Sequence, residues 1–96
     1  MYQVVFSSEC KLQMKTLKKQ GLLQLKDLDY IFSWVNEMER FGPIFIESQT
    51  SWNDHPLVNK RAGQHSSSFS ESGRIIYRIH KNRIIVLKIT TTHDYS

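Results

Sequence analysis

Between Arg74 and Thr91 apolar and polar residues alternate at a period of two, and Lys81-Asn82 interrupts the pattern once. No other feature constrains the fold as tightly. Arg74-Ile75-Ile76-Tyr77-Arg78-Ile79-His80 is rich in β-formers, and Arg83 to Thr91 repeats the alternation with Ile85, Leu87 and Ile89 on one face. Lys81-Asn82 has the length of a two-residue hairpin loop, with an Asn that tolerates positive φ. The spacing therefore predicts two long antiparallel strands at the end of the chain.

The rest of the chain supplies a cover for that hairpin. Tyr2, Val4 and Phe6 alternate, which predicts a first strand. Ser7-Ser8 offers an N-cap with Glu9 in the favourable first turn, Cys10, Met14 and Leu17 recur at helical spacing, and Gly21 stops the helix. A second helix is expected from Leu22 to Phe41, with Leu25, Leu28, Phe32, Val35 and Met38 as its apolar stripe and Leu22, Ile31 and Trp34 widening it. Gly42-Pro43 ends it, and residues 43–64 read as a connection. Gln64 to Phe69 reads as a polar strand before the turn Ser70-Glu71-Ser72-Gly73. The expected fold is α+β in the order β-α-α-β-β-β, a two-helix hairpin on one face of a small, largely antiparallel twisted sheet.

At 96 residues the chain is one domain, 1–96, too short for separate cofactor and substrate domains. A composition of 40% hydrophobic and 23% charged residues is that of a folding chain. Cys10 is the only cysteine, which excludes an internal disulfide and a thiolate zinc site. No apolar run reaches a membrane span, and the start lacks a signal-peptide pattern, so a cytoplasmic protein without a membrane partner is expected. Residues 1–51 carry six Lys/Arg against six acids, whereas residues 52–96 carry seven against three. All four histidines, His55, His65, His80 and His93, fall in this basic part. Such a half suits a polyanion or an acidic protein partner.

Within it, Asp54-His55-Pro56 lies in a loop, Arg74 opens a strand, and His93 and Tyr95 follow the last strand. An imidazole can be base or acid, and a guanidinium can grip two phosphate oxygens. Two histidines and an arginine suffice for RNA cleavage through the 2′-hydroxyl: one group removes its proton, another protonates the departing 5′-oxygen, and the cation offsets the charge between them. Lys60, Arg61, His65 and Arg78 are the candidate RNA contacts. Each residue has a plainer reading: His55 as a loop residue bonded to backbone, Arg74 as a solvated strand end, His65 and His80 as strand surface, Tyr77 and Cys10 as core, Trp52 as a local anchor. No histidine pair has the i, i+4 spacing of a helical metal site, and basic neighbours repel a cation, so neither metal nor cofactor is expected.

These strings, taken together, resemble the RelE/ParE superfamily of toxins from type II toxin–antitoxin modules over nearly the whole chain. The matching pieces are Tyr2–Phe6, the helix hairpin, Trp52-Asn53-Asp54-His55-Pro56-Leu57, Ser72-Gly73-Arg74-Ile75-Ile76-Tyr77 and Thr92-His93-Asp94-Tyr95. Asp-His-Pro-Leu and the terminal His are similar to the YafQ branch, and Arg74 before Ile-Ile-Tyr is similar to YoeB. The resemblance implies a ribosome-dependent mRNA endonuclease that cuts in the decoding site and inhibits translation, with the ribosome, mRNA and a cognate acidic antitoxin as partners and any oligomer formed through the antitoxin. It implies His55 and His93 as the acid–base pair in either order, Arg74 on the phosphate, Tyr95 against the RNA, and His65 near a basic RelE position. Asn59 replaces a usual glycine, and Ser67 stands where RelE has a lysine, which argues against a mechanism based on charge alone. The rivals are a ParE-like gyrase-inhibiting toxin, whose members generally lack the His/Arg/Tyr set, and a non-catalytic module that binds an acidic protein.

Overall fold

The computed structural model describes residues 1–92. His93 and Tyr95 lie outside the described residues. The described elements are β1 (Gln3–Phe6), α1 (Ser8–Lys19), α2 (Leu25–Phe41), α3 (Pro43–Ser48), β2 (His55–Pro56), β3 (His65–Ser68), β4 (Arg74–His80) and β5 (Arg83–Thr90), with single 3-10 turns at Thr50–Trp52 and Asn59–Arg61. The sheet order is β1-β5-β4-β3-β2. Only β1 and β5 run parallel, and the other neighbours are antiparallel. The expected α+β class, helix hairpin and terminal strand hairpin are all present.

Local chemistry sets the helix ends. Ser7 accepts the Cys10 backbone N–H at 3.1 Å, and Glu9 and Lys18-Lys19 complement the dipole of α1. Asp27 accepts the Gln24 N–H at 2.9 Å, which starts α2 three residues later than expected. Gly42 has φ +86° and lies so close to Tyr2 that a Cβ would meet its ring at 2.7 Å. The chain turns there, and Pro43 begins the unexpected α3, because a proline at the first helical position forfeits no hydrogen bond.

The core joins Cys10 of α1, Ile31, Trp34 and Met38 of α2 and Ile46 of α3 to Ile75, Tyr77, Ile84, Val86 and Ile89 of the central strands. Two expected faces are corrected here. On α2 Ile31, Trp34 and Met38 are buried and Leu28 and Val35 pack against the core as expected, whereas Leu25 is 75% and Phe32 53% exposed. Apolar residues surround that helix, so spacing alone does not select the side. On β5 the buried residues are Ile84, Val86 and Ile89, not Ile85 and Leu87. Tyr77 pairs with Val86 while Ile76 pairs with Lys88, so Leu87 is an extra residue that reverses the alternation.

Candidate functional site

Successive residues of a strand point to opposite faces, and directly paired residues share one. His65 and Ser67 pair with Tyr77 and Ile75, so these four lie on the helix face. His55 pairs with Ser66, Ser66 with Ile76, and Ile76 with Lys88. These form one row across four strands on the distal face, spanning three strand spacings, about 14 Å. Two pairs further along lies a second distal row, Ser68, Arg74 and Thr90. The described chain ends just beyond it, where the Ser72 hydroxyl donates to the Thr91 carbonyl at 3.0 Å.

His55 is exposed, and its Nδ1 lies 3.1 Å from the Asn53 carbonyl. A carbonyl only accepts, so this bond needs hydrogen on Nδ1 and leaves the Nε2 lone pair free. Asn53 makes the geometry by adopting a left-handed conformation, φ 45°. His55 also lines a cavity of about 790 Å³ with Leu57, Val58, Lys60, Arg61 and Gln64. A second cavity, about 560 Å³, shares Arg61 and Gln64 and reaches Lys88. Arg61 donates to the Gln64 side-chain oxygen at 2.8 Å at this junction. The two cavities meet here in a groove that carries Lys60, Arg61 and Lys88, with the His55 imidazole in the first cavity and one carboxylate, Glu9, in the second.

Two expected site residues sit differently. Arg74 is not a solvated strand end: it is 8% exposed, and its Nη1 donates to the carbonyls of Gly73 at 2.8 Å, Glu71 at 3.1 Å and Ser70 at 3.3 Å. The guanidinium ties the β3–β4 turn together. His65 is not on the groove. It lies on the helix face, stacked on Tyr77 with ring centroids 5.2 Å apart. Lys60 and Arg61 are brought to the groove, and Arg78 is exposed on the distal face of β4. Lys88 and Gln64 carried no sequence signal: the β5 irregularity hides the face of Lys88, and Gln64 lies in a stretch without periodicity.

On the helix face Asp54 is the hub. Its Oδ2 accepts hydroxyl hydrogens from Ser67 at 2.5 Å and Tyr77 at 2.6 Å, and Ser67 accepts the Trp34 Nε1–H at 2.9 Å. Burial pushes the Asp54 carboxyl up despite these donors and the nearby His65. Tyr77 is also pushed up, by burial and then by the Asp54 bond. Tyr77 is thus the expected core residue with a fixed polar end, and Trp52, 7% exposed and donating to Glu37 at 3.1 Å, is the expected anchor. Glu47 stands beside this hub, its carboxylate 3.9 Å from His65 Nδ1. A third cavity, of about 340 Å³ between α2 and β3, is lined by Tyr30, Ser33 and Ser68 and holds no titratable cluster besides Glu37.

No protein-family model and no curated protein matches the chain in sequence. Solved structures do. YafQ from E. coli superposes with a TM-score of 0.76 at 14% identity, covering 97% of this chain and 96% of YafQ. The YoeB–YefM complex from Staphylococcus aureus gives 0.71 at 16% identity, over 94% of this chain and 95% of the matched one. A copper-bound mutant toxin from Helicobacter pylori gives 0.74 at 12% identity over the full length of both chains. The strand order, the helices on one face and the parallel β1–β5 pair thus make up the RelE-like fold that these toxins share.

Proposed function

We propose that the chain is a type II toxin that cleaves mRNA on the ribosome, using the distal face of its sheet. The observation that carries the reading is His55: its Nδ1 is tied to a backbone carbonyl, which leaves Nε2 as the proton-accepting nitrogen beside a groove bearing Lys60, Arg61 and Lys88. In this reading Nε2 takes the 2′-hydroxyl proton, and the 2′-oxygen attacks the adjacent phosphorus. The bond to the 5′-oxygen breaks, and His93 returns a proton to that oxygen. The products are a 2′,3′-cyclic phosphate and a 5′-hydroxyl. Arg74 shapes the second distal row and offsets charge at the phosphorane, and Tyr95 lies against the RNA. Lys60 and Arg61 hold phosphates along the groove, with Arg78 further along the face.

The protein would act in the cytoplasm, restrained by an acidic antitoxin, as the YoeB–YefM complex pairs one such toxin with a partner. No described helix is long and apolar enough to cross a membrane. The test is a defined mRNA incubated with the protein, with and without ribosomes, followed by mapping of the cut ends. Cutting confined to the ribosome-bound message, with cyclic phosphate ends, is expected. Intact mRNA in both samples would remove the nuclease reading and leave a gyrase poison or a binding module; equal cutting without ribosomes would remove the ribosome from it.

A further inference from the structure

Glu47 at the end of α3, Asp54 before β2 and His65 at the start of β3 come together on the helix face, and one ligand atom from each lies within 4.8 Å of the others. Two atoms of the group, Asp54 Oδ1 and His65 Nδ1, are buried without a hydrogen-bond partner. Buried polar atoms in native proteins nearly always have one, so two orphans in one cluster call for an explanation. Both belong to side chains that are already held. Asp54 is fixed through its other oxygen by Ser67 and Tyr77, and the His65 ring is fixed by its stack on Tyr77. Hydroxyl donors behind a ligating carboxylate are what orients such a ligand toward an ion. Glu47, 45% exposed, is the third member of the group.

We propose that Glu47, Asp54 and His65 bind one divalent transition-metal ion of the Zn²⁺ class, which pins α3 and β2 to β3. One imidazole nitrogen with two carboxylate oxygens suits Zn²⁺, Ni²⁺ or Cu²⁺ better than Mg²⁺ or Ca²⁺, which prefer all-oxygen shells. Bonds of about 2.0–2.2 Å require the three atoms to draw closer than they stand, and the exposed Glu47 side chain can make that movement. The site lies on the face opposite His55, so the ion is structural and enters no step of RNA cleavage. The inference stands whether or not the chain is a nuclease.

The test is equilibrium dialysis of the chelator-treated protein against Zn²⁺, with bound metal counted per chain and thermal melts recorded in parallel. One Zn²⁺ per chain and a raised melting temperature are expected for the wild type. Glu47→Gln, at an exposed position that leaves the fold intact, and His65→Gln should each bind Zn²⁺ more than about tenfold more weakly, a loss as large as that of even an outer-shell partner. Both should lose the Zn²⁺-dependent rise in melting temperature. His80→Gln, at an exposed histidine elsewhere on the sheet, should behave as wild type. Absence of Zn²⁺ from the wild type would leave a polar cluster bridged by water and overturn the proposal, as would binding that survives either the Glu47 or the His65 substitution unchanged.

Discussion

Asp54 and His55 are consecutive in the sequence and belong to opposite sides of the sheet. Asp54 turns under the helices, where Ser67 and Tyr77 donate to it and Trp34 steadies Ser67. His55 turns outward, with one backbone carbonyl as its partner and a cation-lined groove beside it. One face holds the bonds that fix the strands, and the other leaves the His55 Nε2 turned to the groove. The pleat makes this division of labour cheap, since a period of two separates scaffold from chemistry without any extra chain. It also separates two of the histidines by face: His65 to the scaffold, His55 to the groove.

Substitutions on either side sharpen this contrast. The largest effect on stability is expected from Arg74→Ala, which removes a charged donor from three turn carbonyls. Hydrogen bonds to charged groups contribute about 1.5–3 kcal/mol, so the unfolding free energy should fall by that order and the urea midpoint by about 1 M. An unchanged midpoint would show that these turn bonds contribute little to the fold and leave Arg74 only its proposed part at the phosphate. Tyr77→Phe removes one hydroxyl from Asp54 and should cost about 1 kcal/mol, with the cleavage rate of the folded protein unchanged. A lost rate at full stability would mean that the two faces are not separate.

Smaller effects follow in the groove and the core. Lys60→Ala should weaken RNA binding and lower the slope of log affinity against log salt by about 0.7, the value of one single-strand phosphate contact, and an unaltered slope would place Lys60 off the RNA path. Cys10, buried against Ile89, has its thiol pushed up to about 11 from an ordinary 9.0, chiefly by burial. The unfolded chain therefore loses this proton first, and stability should fall as pH rises from about 9 to about 11. In Cys10→Ala that part of the alkaline slope should vanish. Urea titrations of both proteins across this range check it.

The sequence made the terminal hairpin, the Ser7 cap and the α+β order legible, because each rests on neighbouring residues. What it hid depends on distant ones. The parallel β1–β5 pair joins Gln3 to Arg83, and the extra residue at Leu87 shows only in the pairing of Tyr77 with Val86. The apolar side of α2 is ambiguous because Phe32 and Trp34 both qualify, and only Trp34 has a partner in Ser67. His55, Lys60 and Arg61 were readable as site candidates from charge and spacing. The carbonyl contacts of Arg74 are not legible in the sequence, because no pattern announces carbonyls converging on a guanidinium. The Glu47–Asp54–His65 cluster escaped because its members are seven and eleven residues apart, on a helix, a connection and a strand.

The central claim is that His55, on the distal face, carries the chemistry and is not needed for the fold. Single-turnover cleavage of ribosome-bound mRNA by wild type and His55→Ala tests it most directly, with melting curves of both. Loss of a general base should slow the cut by about 10²–10⁴, while the melting temperature stays put because His55 is exposed and makes one backbone bond. Equal cleavage by His55→Ala, or a slowed cut matched by a lowered melting temperature, would contradict the account.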